Sequence, residues 1–173
     1  LHTAYRRQRQ MCIRDRSYRT FLSVPEPDRE IIPATKILEK VRLLLQEYTN
    51  AHDITLEVIA EPEDLELYID EKQLTQILLN LGKNAQQALE GQEEGKIVIT
   101  AGESPQGKKY ITVTDNGPGI SPEMLDEVFV PFFTTKSTGT GIGLSLSKQI
   151  MRLHGGSIRV TSNETTTFTL TFQ

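Results

Sequence analysis

Cysteine, tryptophan and long apolar runs are scarce or missing in this chain of 173 residues. Cys12 is its only cysteine, which excludes a disulfide framework and a metal site built from several cysteines. No apolar run approaches the roughly 18 residues that a membrane-spanning helix needs, and no signal-peptide pattern opens the chain. The net charge of −4 argues against nucleic acid as a general partner. We therefore expect a cytoplasmic domain that contacts neither nucleic acid nor a membrane, although an anchor in a longer parent protein would not be visible.

Basic residues are concentrated at the beginning of the chain. The stretch YRRQRQMCIRDRSYR carries six arginines and a single acidic residue, Asp15. An arm that binds acidic lipid or nucleic acid has this charge pattern, but the apolar residues are sparse, and RQRQMCIRDR resembles translated adapter sequence rather than natural protein. We assign no function to residues 1–16. Residues 1–28 are interpreted as a basic tail and linker, followed by one domain over residues 29–173.

The rest of the chain carries helix and strand patterns in turn. Helical spacing of apolar residues runs through ATKILEKVRLLLQEYTNA, through residues 71–89 after a capping Asp70, and through residues 141–153. Alternation predicts strands in EIIP, ITLEVIA, LELYI, KIVITAG, KYITVTD, SIRVTS and TTFTLTF. Residues 116–138 form a long irregular stretch, typical of a lid or binding loop. These elements predict an α+β fold, a two-layer sandwich with about three helices on one face of a mixed sheet.

Two asparagines, Asn80 and Asn84, lie four residues apart in the second predicted helix and therefore share one face. An amide oxygen suits Mg²⁺, which usually keeps several waters and takes further oxygens from substrate phosphates. Asp115 ends a predicted strand beside the lid. It can begin a turn, or its carboxylate can accept a hydrogen bond from the exocyclic amine of adenine. The alternative for the two asparagines is that they are ordinary polar residues on a solvent-exposed helix face.

The stretch GTGIGLSLS combines three glycines with the start of a predicted helix. Backbone N–H groups at a helix N-terminus attract phosphate oxygens, while the glycines of DNGPG allow a close approach of the backbone to a base. The pattern is neither a Walker loop nor a dinucleotide fingerprint. Taken alone, either stretch could be an ordinary flexible loop.

In their order and spacing, NLGKNA, DNGPGI, FVPFFTTK and GTGIGLSLS resemble the nucleotide-binding boxes of histidine kinases. More broadly, they resemble the Bergerat ATP-binding fold of gyrase, heat-shock-90 chaperones and MutL-type repair ATPases. The resemblance covers residues 30–172, and NAQQA and PFFTTK are most similar to the nitrogen-regulator and dicarboxylate-sensor branch. It implies the ATP- and Mg²⁺-binding catalytic domain of a two-component sensor histidine kinase, which donates the γ-phosphate of ATP to a histidine on a separate dimerisation domain. The implied partners are those phosphoacceptor helices and a downstream response-regulator receiver domain.

The resemblance also implies roles for single residues. Asn84 is the implied metal ligand, and Asp115 the implied adenine-recognising residue. Asn80 stands where hydrolytic relatives have a glutamate that activates water; because an amide cannot accept a proton at neutral pH, we expect bound ATP to survive. Gln87 replaces a lysine of the commoner pattern, so the phosphate charge is expected to be met by Lys136 in the lid and by Mg²⁺, with Lys83 as a further candidate. The expected nucleotide-binding residues are Asn80, Asn84, Gln87, Asp115, Gly117, Gly119, Ile120, Phe132, Thr135, Lys136, Gly139, Thr140, Gly141, Ile142, Gly143, Leu144 and Thr166.

None of the histidines, His2, His52 and His154, lies in the sequence context of a phosphoacceptor, and SYRTFL resembles the end of a dimerisation helix. We therefore expect an incomplete kinase that binds ATP but does not phosphorylate itself. Two alternatives remain: a stand-alone ATPase, chaperone-type or protein-serine kinase switch on the same fold, and an interaction module with decayed motifs. Asn80 counts against the first alternative, and the intact Asn84 and Asp115 count against the second.

Overall fold

A computed structural model describes residues 23–137 and 139–173. The basic tail up to residue 22, including the helix end predicted in SYRTFL, lies outside the described residues. The strands are β1 (Glu30–Pro33), β2 (Thr55–Glu61), β3 (Glu66–Ile69), β4 (Lys96–Glu103), β5 (Lys109–Asp115), β6 (Ser157–Ser162) and β7 (Thr166–Thr171). The helices are α1 (Ala34–Asn50), α2 (Glu71–Ala88), α3 (Pro122–Leu125) and α4 (Gly143–Leu153).

The strands form two sheets. Five of them make one sheet in the order β2-β4-β5-β7-β6. In it β2 and β4 run parallel, whereas the other neighbours run antiparallel, so the predicted mixed sheet is confirmed. β1 and β3 pair antiparallel in a small sheet of their own, a separation that the alternating sequence patterns did not reveal.

Helices α1, α2 and α4 pack on one face of the large sheet, as predicted. Apolar side chains at helical spacing meet in this layer, and Leu45 of α1, Leu78 of α2 and Ile99 of β4 are all fully buried. Each such side chain contributes roughly 1.5–3 kcal/mol through removal of its apolar surface from water. None of the helices in the described part of the chain is long and apolar enough to cross a membrane.

Helix ends fix the elements that surround the candidate site. Asp70 caps α2 as predicted, because its Oδ1 accepts hydrogen bonds from two backbone N–H groups of the first turn at 2.9 and 3.0 Å. Helix α4 begins at Gly143, two residues later than predicted. The reason is the φ of +69° at Gly141, a left-handed conformation that a right-handed helix cannot include. The loop between β5 and α4 is therefore longer than expected, and we call residues 116–142 the lid.

Candidate nucleotide site

A cavity of about 560 Å³ opens between α2, the beginning of α4, the ends of β5 and β7, and the lid. Most of the residues that the sequence singled out lie in its wall. These are Asn80, Asn84, Gln87, Asp115, Gly119, Ile120, Thr135, Lys136, Gly139, Thr140, Gly141, Gly143, Leu144 and Thr166. Residues more than 80 positions apart in the sequence are thus brought to one concave surface.

Three of the predicted residues do not line the cavity. Gly117 contacts a residue of the wall instead, because its N–H donates to Asp115 Oδ1 at 2.9 Å. Ile142 precedes the first residue of α4 and its side chain is buried. Phe132 has a φ of +67°, and its N–H donates to the carbonyl oxygen of Gly141 at 2.8 Å. The structure places these three beside the cavity rather than in its lining, and their contact with a nucleotide stays a prediction.

The two asparagines of α2 are half-buried and share the wall, as helical spacing predicted. Asn80 also joins α2 to α4, because its Nδ2 donates to Ser147 Oγ at 3.4 Å. A methyl group on Gly143 would overlap the Asn80 carboxamide. The glycine at the start of α4 therefore allows the Asn80 carboxamide to approach closely, and the N–H groups of the first turn lie beside the asparagine face.

The corner between β5 and β7 holds the buried carboxyl group of the site. Asp115 is only 5% exposed and lies opposite Thr166 in the sheet register. Burial raises the pKa of Asp115 above its ordinary value, and the hydrogen bond from the Gly117 N–H opposes that rise. An N–H donor of a ligand would be bound strongly here, because little water competes for the carboxylate.

Ser162 is a site residue that the sequence did not reveal. Its Oγ accepts a hydrogen bond from the N–H of Ile120 at 2.8 Å and lies 3.0 Å from Thr166 Oγ1. These bonds fasten the first part of the lid to the ends of β6 and β7. A serine at the end of an alternating strand carries no distinctive signal, and only the pairing of Ser162 with Thr166 in the sheet exposes its role.

Apolar residues that are not among the expected nucleotide-binding residues complete the wall. They are Ala85, Ala88, Met124, Val128, Phe133 and Phe168. Met124 and Val128 are four residues apart in PEMLDEVF, so helical spacing pointed to their common face. Phe168 follows Thr166 by two residues in β7 and therefore shares its face of the sheet. The Phe168 ring meets the Phe129 ring edge-on at a centroid distance of 6.3 Å.

Two lysines line the cavity, and they are held differently. Lys136 in the lid is an exposed residue, yet its Nζ donates to Gln87 Oε1 at 2.5 Å. The protein around Lys136 still removes enough water to lower its pKa, while the charge of Glu90 acts in the opposite direction. Lys83 lies on α2 with its Nζ 4.9 Å from the Tyr48 ring centroid. The ammonium group of Lys136 is therefore held beside Gln87, whereas that of Lys83 is held beside the Tyr48 ring.

The donor chemistry of the cavity fits a magnesium ion that arrives with phosphates. Within residues 23–137 and 139–173, no group of three or more histidine, cysteine, aspartate or glutamate side chains could hold a metal. The cavity instead offers the amide of Asn84. One such hard oxygen suffices for Mg²⁺, because the ion usually retains waters and takes its other ligands from a substrate.

Comparison with known proteins identifies the family. Residues 69–173 match the family described as histidine kinase-, DNA gyrase B-, and HSP90-like ATPase. The chain belongs to this family. Over 138 residues it is 46% identical to the sensor histidine kinase ZraS of Escherichia coli K12, covering 79% of the chain and 29% of ZraS. It is 40% identical over 145 residues to the sensory histidine kinase/phosphatase NtrB of Vibrio alginolyticus, covering 78% of the chain and 41% of NtrB.

A third relative supports the branch inferred from the sequence. The C4-dicarboxylate transport sensor protein DctB of Rhizobium meliloti is 35% identical over 134 residues, covering 77% of the chain and 21% of DctB. Similarity to both NtrB and DctB confirms the predicted nitrogen-regulator and dicarboxylate-sensor resemblance. The chain spans less than half the length of these three relatives.

Solved structures show the same architecture. The catalytic domain of histidine kinase ThkA, in a nucleotide-free form, superposes with a TM-score of 0.76 at 31% identity, covering 84% of this chain and 95% of that one. ThkA in complex with the response regulator protein TrrA matches with a TM-score of 0.78 at 25% identity, covering 97% of this chain and 48% of that one. The predicted sandwich fold is confirmed, and this ATPase-family domain is of the histidine-kinase catalytic type.

Proposed function

We propose that this domain binds ATP together with Mg²⁺ under the lid and supplies the γ-phosphate to a histidine on the dimerisation domain of a longer sensor kinase. In this proposal residues 29–173 are the catalytic domain, and residues 1–28 are a tail and linker from the dimerisation helices. The observation that carries it is the convergence of Asn84, Asp115 and the glycines before α4 on one cavity. The amide face suits Mg²⁺, the buried carboxyl group suits the amino group of adenine, and the helix N-terminus suits a chain of phosphates.

Adenine is assigned to the Asp115 corner of the cavity. The ionised carboxylate accepts a hydrogen bond from the 6-amino group of adenine, whereas guanine has an oxygen at that position and would be repelled. Thr166, buried beside Asp115, is proposed to reach the base through water. Met124 and Val128 supply an apolar surface for the ring, as ligand pockets generally do.

The triphosphate is assigned to the opposite end, where Gly139, Gly141 and Gly143 lead into α4. The N–H groups of the first turn and the helix dipole favour phosphate at this place. Asn84 is the residue that would hold Mg²⁺, which when bound neutralises phosphate charge and helps to orient the transferred group. Asn80 has no basic group with which to take a proton from water. The γ-phosphate is therefore kept for an incoming imidazole.

Both histidines among the described residues have a ring nitrogen close to a backbone carbonyl oxygen, which supports taking the phosphoacceptor from another domain. His154 is buried, with Nδ1 2.9 Å from the carbonyl oxygen of Ile150 and Nε2 accepting the N–H of Asp70 at 3.1 Å. The Nδ1 of His52 lies 2.9 Å from a carbonyl oxygen of α1, and His2 lies outside the described residues. The proposal accordingly takes the acceptor from separate dimerisation helices. A downstream response regulator is proposed by analogy with ThkA, whose structure in complex with TrrA is known.

A transfer experiment tests the proposal. The chain is incubated with γ-labelled ATP and Mg²⁺, alone and with a separately produced dimerisation domain from a sensor kinase of the same branch. We expect acid-labile label on the histidine of the dimerisation domain, none on the chain alone, and little steady release of phosphate. Label on the isolated chain would overturn the proposal. Continuous phosphate release without the second domain would favour a stand-alone ATPase.

A further inference from the structure

A hydrogen bond joins the lid to α2 at the edge of the cavity. Lys136 Nζ donates to Gln87 Oε1 at 2.5 Å, and both residues line the cavity. Gln87 lies three residues, nearly one helical turn, beyond Asn84. The bond therefore relates the position of a lid cation to the helix that also carries the proposed metal ligand.

The backbone on the lid side of this bond is locally organised. The N–H of Lys136 donates to Thr134 Oγ1 at 3.1 Å, and the N–H of Gly139 donates to the carbonyl oxygen of Lys136 at 3.2 Å. Lys136 thus sits in a turn that fixes its main chain, while Gln87 fixes the far end of its side chain. A long lysine side chain held at both ends loses rotamer freedom before any ligand arrives.

The lack of charge on the Gln87 side chain matters as much as its position. Gln87 is a neutral acceptor, so it orients the ammonium group without cancelling its charge. A carboxylate at the same place would form an ion pair that phosphate must displace. The surrounding protein lowers the pKa of Lys136 mainly through desolvation, so an anionic partner would stabilise the charged ammonium group.

We propose that Gln87 is a positioning residue, which acts on the nucleotide through Lys136 by holding the lid ammonium group beside the phosphate end of the cavity. This inference rests on the proposed ATP-binding function and deepens it. It replaces direct nucleotide contact by Gln87, which the sequence resemblance implied, with an indirect role. It also explains how a chain with glutamine in place of the commoner lysine keeps one cation near the phosphates.

A double-mutant cycle on the full chain tests the inference. ATP affinity in the presence of Mg²⁺ is measured for the wild type, Gln87→Ala, Lys136→Met and the double variant. We expect Gln87→Ala to weaken binding about fivefold and Lys136→Met about tenfold. The double variant should bind like Lys136→Met, because Gln87 has nothing to position once the ammonium group is gone. If the loss of ATP affinity in the double variant equalled the product of the two single losses, the inference would be overturned and Gln87 would be assigned a direct contact with the nucleotide.

Further measurements separate positioning from general damage. Affinity for adenosine should stay unchanged in Gln87→Ala, since adenosine has no phosphate to meet Lys136. Gln87→Glu should shift the alkaline loss of ATP affinity to higher pH, because a carboxylate beside Lys136 raises its pKa. Gln106→Ala and Lys108→Met, exposed residues of the β4–β5 turn, serve as matched controls with wild-type affinity. Failure of the wild type itself to bind ATP would instead refute the proposed function.

Discussion

The floor and the lid of the cavity are built in different ways. We call the residues contributed by α2, β5 and β7 the floor. Floor residues Asp115 and Thr166 are only 5% and 4% exposed, whereas Val130 in the lid is 50% exposed. Ala85 and Phe168 of the floor belong to the main hydrophobic core. The lid is attached to it through particular contacts, among them the Phe132–Gly141, Ile120–Ser162 and Lys136–Gln87 hydrogen bonds.

This contrast separates folding from binding. A change at a buried floor residue such as Asp115 or Thr166 alters a group that is already removed from water in the folded protein, so it should change the free energy of unfolding as well as nucleotide affinity. A lid with few buried contacts can move without unfolding the sheet and helices. Changes in the lid should therefore alter nucleotide affinity more than the free energy of unfolding. Each prediction below tests one side of this comparison.

The largest effect is expected for Asp115→Asn in the floor. Loss of the charged acceptor for the adenine amine should weaken ATP binding roughly 10- to 100-fold, the usual range for a hydrogen bond to a charged group. Affinity of the wild type should rise with pH through the raised pKa of Asp115, because the ionised form is the acceptor. Isothermal titration at several pH values measures both effects. Equal affinity of the two proteins would contradict the adenine assignment.

The same variant has an opposite expected effect on stability. Because burial raises the pKa of Asp115 in the folded state, its contribution to stability is fully present below the unfolded pKa and is lost as pH rises through the folded pKa. Asparagine does not ionise, so the Asp115→Asn variant does not lose this stability as the pH rises. Urea unfolding should find the variant at least as stable as the wild type near neutral pH, with the difference shrinking towards acid. A large destabilisation at neutral pH would contradict the burial argument.

The next largest effect is expected for Gly141→Ala, where the lid meets α4. An alanine there would bear the left-handed penalty of about 1–2 kcal/mol, and its Cβ would overlap the backbone of Phe132. The lid can relax away from this strain, so ATP affinity should fall roughly tenfold while the unfolding free energy changes little. Gly91→Ala is the control, since Gly91 has a φ of +78° and open space around it. Equal affinity losses in both variants would show that Gly141 has no special role where the lid meets α4.

The smallest effect is expected for Thr166→Val. The change keeps the shape but removes the hydroxyl group that contacts Ser162 Oγ, which should lower the unfolding free energy by about 1 kcal/mol. ATP affinity should fall a few-fold as the Ile120 segment loses part of its anchor. Thr167→Val is the matched control: its hydroxyl contacts Thr114 at 2.9 Å on the other face of the sheet, so affinity should not change. An affinity loss shared by both variants would show that the effect is not local.

Much of the floor was predictable from sequence, because it depends on local periodicity. Asn80 and Asn84 share a face through helical spacing alone, and the capping by Asp70 followed from residue type. Placement of Asp115 opposite Thr166 was not predictable, because strand pairing between β5 and β7 joins residues that are distant in the chain. The sequence resemblance implied a nucleotide-binding role for each of these two residues, but not that they lie opposite each other.

The lid was predicted as a region but not in its contacts. A long stretch rich in glycine and proline indicates a loop, yet it does not reveal that Phe132 takes a positive φ or that Gly141 is left-handed. These conformations arise from the tight contact between two loop segments. Ser162 and the Gln87–Lys136 bond escaped for the same reason, since each joins a lid residue to a distant element.

Magnesium-dependent binding tests the account most directly. ATP titrations of the wild type and of Asn84→Ala are compared with Mg²⁺ and with a chelator, and adenosine serves as a ligand without phosphates. We predict that Mg²⁺ strengthens ATP binding to the wild type at least about tenfold. In Asn84→Ala that enhancement should disappear while adenosine affinity is retained. An undiminished Mg²⁺ enhancement in Asn84→Ala would contradict the assignment of the α2 amide face to the metal and its phosphates.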